Sequence, residues 1–191
     1  MILTLKSNSE SFGEAVFSSC NLYRFSLTRK IQDDQRTLLF IGLNPSIADD
    51  YFNDQTLRKL LKICTLLGYG TLVVLNLFSR VSKAPKQLQL CLDPIGNQNN
   101  NFLSFYTFIW SRNYFWDLCF GWGVNGCLYQ RDTSVIELLS IYLSARSIFC
   151  KDALGPLVFG LTKAGHPRHP LYLPSASVLS SFDWQEKFSC R

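Results

Sequence analysis

The stretch from Thr37 to Asn76 limits the fold more than any other part of the chain. It opens on a continuous apolar run that breaks at Gly and Pro, TLLFIGLNPS (37–46), and closes on a second run, TLVVLN (71–76). Runs of this kind suit strands covered on both faces, because a strand with one wet face alternates apolar and polar residues. Between them, DQTLRKLLKICTLLGYG (54–70) has apolar residues at 57, 60, 61, 63, 64, 66 and 67, the spacing of a helix with one buried side. Asp54 is placed to cap its start, and Gly68 or Gly70 to end it. Strand, helix and strand in direct succession form a βαβ unit with a right-handed crossover, which predicts a parallel sheet.

The remaining segments extend that pattern. NLYRFSLTRKI (21–31) alternates as a strand before a turn at QDDQ (32–35), and the domain is expected to include an N-terminal strand or hairpin. NNNFLSFYTFIWSR (99–112) and DTSVIELLSIYLSA (132–145) predict helices, and YFWDLCFGWG (114–123) predicts a strand. SIFC (147–150) predicts a short edge strand, and LVFGLT (157–162) a strand or extended connection. No repeat, linker or low-complexity segment interrupts the 191 residues. The expectation is one α/β domain, 1–191, with a three-layer α/β/α architecture around a central, mainly parallel sheet.

Composition excludes several classes. With 47% hydrophobic and 17% charged residues, the chain is not disordered, and its 14% aromatics belong mostly in a core. No apolar stretch approaches the roughly 18 residues of a membrane span. The first residues lack the basic-then-apolar pattern of a secretory signal, so a cytoplasmic protein with no membrane partner is expected. Seven scattered cysteines without a CxxC pair read as reduced thiols; neither a metal nor a cofactor is expected, and the chain is taken as a monomer. A net charge of +5 permits a polyanionic partner without requiring one.

In open α/β sheets, ligands sit beyond the carboxyl ends of the strands. GLNPS (42–46), NLFSR (76–80), GWGVNG (121–126) and GHPRHP (165–170) should therefore meet on one rim. The last segment holds the chain's two histidines, His166 and His169, among prolines that rule out a regular helix.

The segments GLNPSIADD, ND, GYGTLVVLNLF, DPIGNQN, WGVNG and GHPRHPLYL follow one another over about residues 20–174. In that order they resemble an uncharacterised bacterial domain family with LNPS-x-AD and HPLYL signatures. A more distant resemblance carries chemistry. Gly42-Leu43-Asn44-Pro45-Ser46 resembles the Gly-x-(Asp/Asn)-Pro motif of the uracil-DNA glycosylase superfamily. The strand end at Asn76, with Leu77 to Val81 behind it, is similar to that superfamily's base-reading segment, and Gly121-Trp122-Gly123 to its Trp-Gly strand end. His166-Pro167-Arg168-His169-Pro170-Leu171 resembles its late His-Pro-Ser-Pro-Leu loop.

The resemblance implies a hydrolase that flips a base out of duplex DNA and cuts its N-glycosidic bond. Asn76 would read the base edge, or alternatively bond only its own strand end. Phe52 or Phe78 would stack on the base, with core packing as the alternative for each. His166 or His169 would stabilise charge on the leaving base, and Asn44 would hold the attacking water where uracil-specific members have Asp. Asp49, with Asp50 and Asp54 nearby, could supply a carboxylate. Gly42, Pro45 and Ser46 would line the base site. Ser46 stands where uracil-specific members have a Tyr that crowds the 5-position, which implies a bulkier 5-modified pyrimidine, as in foreign or phage DNA. Arg80, Lys83, Lys163 and Arg168 would contact DNA, with Leu171 as a wedge. Three other readings share the same residues: a non-catalytic nucleic-acid or nucleotide-binding module, a nucleoside hydrolase, and an adaptor using the aromatic segment 102–122.

Overall fold

The computed structural model describes residues 3–7, 13–46, 53–174 and 177–185. Strands β1 (Leu3–Ser7), β2 (Gly13–Ser18) and β3 (Arg24–Lys30) form an antiparallel meander, of which only β3 is read from the sequence as a particular segment. Next come β4 (Thr37–Gly42), α1 (Gln55–Leu66) and β5 (Thr71–Asn76), with β4 and β5 paired in parallel as the βαβ reading requires. A short helix α2 (Pro85–Gln89) precedes α3 (Asn99–Arg112), β6 (Trp116–Phe120), α4 (Arg131–Phe149) and the two-residue strands β7 (Leu157–Val158) and β8 (Ser180–Ser181). The sheet has eight strands in the order β1-β2-β3-β5-β4-β6-β7-β8, and its centre, β5-β4-β6-β7, is parallel.

Alternation along the central strands sorts their side chains into two layers. Leu39, Ile41, Val73 and Leu75 pack with residues of α3 and α4, including Leu103, Trp110 and Leu139. Leu38, Phe40, Leu72 and Val74 pack with Leu57, Leu60 and Ile63 of α1. Helices thus cover both faces, which is why β4 is buried along its whole length and reads as an uninterrupted apolar run. Asp54 caps α1 by accepting from the Leu57 amide at 2.7 Å.

One expected element differs. Residues 147–149 continue α4 instead of forming an edge strand, and Cys150 caps that helix by donating its amide to the Arg146 carbonyl. The reason is Arg146, a buried cation that donates to the carbonyls of Asn113 (2.8 Å) and Trp116 (2.7 Å) and so fastens the last turn to the start of β6. Over 157–162, expected as a strand or an extended connection, only Leu157–Val158 is strand, and Gly160 then takes a positive φ of 101°. Among the described residues, no helix is long and apolar enough to cross a membrane.

Candidate functional site

The carboxyl ends of β4 and β5 open into a cavity of about 750 Å³ on the α1 side of the sheet. Its floor follows from strand periodicity. Phe40 and Gly42 lie on one face of β4, Val74 and Asn76 on the same face of β5, and Gly42 pairs in register with Asn76. A methyl group at Gly42 would lie 3.0 Å from Asn76 Oδ1 and 3.1 Å from the Phe40 ring. At Gly121 it would lie 2.5 Å from the same ring. The absence of a side chain at these two glycines lets the Phe40 ring pack closely against the ends of β4 and β6, with Asn76 beside it.

Asn76 is only 5% exposed and lines the cavity. Its carbonyl accepts from the side chain of Asn99 at 3.1 Å, which fixes the strand end. Its own side-chain amide makes no hydrogen bond to the described residues. A buried amide is normally paired, so this one offers a donor and an acceptor to whatever enters.

Asn44 also lines the cavity, and its orientation is set by its neighbours. Nδ2 donates to the Pro45 carbonyl (2.9 Å), the Ser82 carbonyl (3.0 Å) and Ser82 Oγ (3.0 Å), while Ser82 Oγ donates to the Ala84 carbonyl. Three acceptors around one end identify it as the nitrogen, leaving Oδ1 for a ligand or water. Pro45 supplies its carbonyl to this tie but does not line the cavity, whereas Ser46 does.

The two histidines separate. His169 lines the cavity, and its Nδ1 accepts from the Leu171 amide at 3.3 Å, capping the 3-10 turn Pro170–Tyr172. Burial pushes its pKa below the usual value, with a smaller opposing pull from Asp54. The neutral ring with Nδ1 as acceptor carries its proton on Nε2. His166 is not among the lining residues; its Nδ1 sits 3.5 Å from Asp132 Oδ2 at the start of α4, and its backbone is tied to Thr162. His166 therefore holds the loop in place.

Of the expected cations and the wedge, Lys83, Arg168 and Leu171 border the cavity. Arg80 is engaged elsewhere, its guanidinium 5.5 Å from the centre of the Tyr23 ring, and exposed Lys163 lies outside the lining. Phe78 is not a stacking face: it is 0% exposed and packs in the α3–α4 layer, on the opposite side of the sheet. Asp49, Asp50 and Phe52 lie outside the described residues. Asp54 borders the cavity as the cap of α1.

Sequence reasoning missed Phe40, Arg24 and Tyr172 as lining residues. Phe40 was findable, standing two residues before Gly42 and so on the same face. Among the described residues, no group of three or more His, Cys, Asp or Glu is arranged to hold a metal ion. No curated protein and no solved structure matched the chain. Residues 24–171, more than three quarters of the chain, match the family model described as Protein of unknown function (DUF1643), and the chain belongs to that family.

Proposed function

We propose that this protein is a DNA glycosylase of uracil-DNA glycosylase-like architecture that takes a flipped base into the cavity and hydrolyses its N-glycosidic bond, leaving an abasic site. The observation that carries this reading is the Asn76 side chain: a buried amide with no hydrogen bond to the described residues, on the floor of a cavity beside an aromatic ring. A pyrimidine edge presents the matching donor and acceptor. His169, neutral and with its proton on Nε2, donates to the base carbonyl on which charge collects as the bond breaks. Asn44 Oδ1 accepts from the water whose oxygen adds to the sugar's anomeric carbon. The electron pair of the C–N bond leaves with the base, and the water's released proton neutralises the product charge. A cavity of about 750 Å³ with Ser46 on its wall has room beyond a pyrimidine ring, which supports a 5-substituted base.

One observation favours a second reading. Asp54 is the only carboxylate among the described lining residues, and it is engaged in capping α1. A base- or nucleotide-binding module that performs no hydrolysis needs no carboxylate. Oligonucleotides carrying uracil, cytosine or their 5-substituted forms, incubated with the protein and then treated with alkali, separate the two. Strand breaks at the 5-substituted base support the glycosylase; binding without breaks in any substrate supports the module. Cleavage restricted to plain uracil refutes the bulky-base preference.

A further inference from the structure

The cavity's mouth carries an aromatic side chain that neither the base pocket nor the protein core uses. The 3-10 turn Pro170–Tyr172 is held firmly at both ends. At one, His169 Nδ1 accepts from the Leu171 amide and Pro170 is buried. At the other, the Leu173 amide donates to the Pro170 carbonyl, its side chain is buried in the α1 layer, and Lys59 donates to its carbonyl. Between these anchors, the turn displays Leu171 and Tyr172, and both border the cavity. Tyr172 is 81% exposed, its ring meets that of His169 at 6.1 Å between centroids, and its hydroxyl bonds to no described residue. A stiff turn thus fixes a large apolar face in water, on a cavity whose lining also carries Arg168, Lys83 and the helix-capping Asp54.

We propose that Tyr172 stacks on the nucleobase adjacent to the one held in the cavity. The proposal rests on the reading above only in taking the partner to be nucleic acid. Charge decides for that partner: the rim cations match a phosphate backbone, and the chain carries a net +5. An exposed ring on the same cavity lining as two cations is an arrangement with which proteins hold unstacked bases, whereas a protein partner calls for a broad apolar patch. The turn is already ordered, so little side-chain or loop freedom remains to be lost on binding. Stacking of this kind tolerates any base, so the contact contributes affinity without sequence preference.

The test is the affinity of the full chain for an oligonucleotide carrying a 2′-fluoro, 5-substituted deoxyuridine that resists hydrolysis, followed by fluorescence anisotropy over a series of salt concentrations. Tyr172→Ala is expected to weaken binding about tenfold or more, with an unchanged slope of log affinity against log salt. Tyr172→Phe and Tyr172→Trp keep wild-type affinity; Tyr172→Leu does not. Lys83→Ala gives the opposite signature, a salt slope shallower by about one. Tyr172→Ala binding within twofold of wild type, or Tyr172→Leu binding as well as Tyr172→Phe, overturns the proposal. A wild-type protein that binds no oligonucleotide overturns it together with the glycosylase reading. One that binds here but excises no base from the hydrolysable oligonucleotides described above removes the glycosylase reading alone, and anisotropy then decides on Tyr172.

Discussion

Replacing Asn44 by Asp tests whether the GLNPS loop is built around an amide. In the native loop, Nδ2 has three acceptors within 3.0 Å, two of them main-chain carbonyls. An ionised carboxylate only accepts, so both carbonyl bonds are lost and an anionic oxygen faces two carbonyl oxygens. Ser82 can rotate its hydroxyl toward the new acceptor, but only by giving up its bond to Ala84. Two bonds at about 1 kcal/mol each, plus the repulsion in a partly buried site, make a loss of about 2–4 kcal/mol. For a chain of this size that is on the order of a 10 °C fall in Tm. The repulsion raises the folded-state pKa of the new carboxyl above its unfolded value near 3.9. A group shifted that way costs least below the unfolded pKa, where it is protonated in both states, and the cost grows as pH rises through the folded pKa. Melting curves from pH 3.5 to 8 should therefore show the deficit widening from about pH 4 upward and then levelling. Wild-type Tm for Asn44→Asp at pH 7 would refute the loop account.

Two further outcomes follow from the same rim. If His169 acts as the proposed neutral donor, its pKa being lowered by burial, activity should hold from pH 8 down to about 6.5 and fall below the depressed folded pKa. Stability follows the same sign: the contribution of a buried neutral imidazole is complete above the unfolded pKa and is lost as the pH drops through the folded one. Loss of activity beginning well above pH 6.5 would contradict the burial of His169. Gly123 has φ 70° and ψ −170°, a region only glycine occupies readily, and a methyl there would sit 3.2 Å from His169 Cβ. Gly123→Ala is expected to cost about 1–3 kcal/mol in a urea melt and to lower turnover by displacing His169; unchanged values of both would show that the loop re-forms around the methyl.

Much of the fold was legible because its signals are local. The βαβ unit announced itself through two apolar runs and a capped amphipathic helix, and β5 and α3 match their expected limits. The errors lie where a tertiary contact overrides the local pattern. SIFC looks like a strand only until Arg146 is seen reaching the carbonyls that lock the last turn of α4. Convergence of four loops on one rim follows from sheet topology, so Asn44, Asn76 and His169 could be brought together from sequence. Which histidine faces the cavity could not, because that depends on tertiary neighbours: the Leu171 amide donates to the His169 ring, while the His166 ring lies beside Asp132 at the start of α4. For Phe78 the two alternatives, stacking face and core, could not be separated for a related reason. β5 ends at Asn76, so strand alternation gives no guide beyond it, and the ring drops into the opposite layer.

The central claim is that the Asn76 amide reads a base that the protein then releases. Mass spectrometry of the small-molecule fraction, after incubation with DNA containing a 5-substituted pyrimidine, measures this directly. The account predicts free modified base from the wild type and none from Asn76→Ala, with both proteins melting alike because the native amide bonds to no described residue. No free base from wild type on any modified substrate, or equal release by Asn76→Ala, would contradict it.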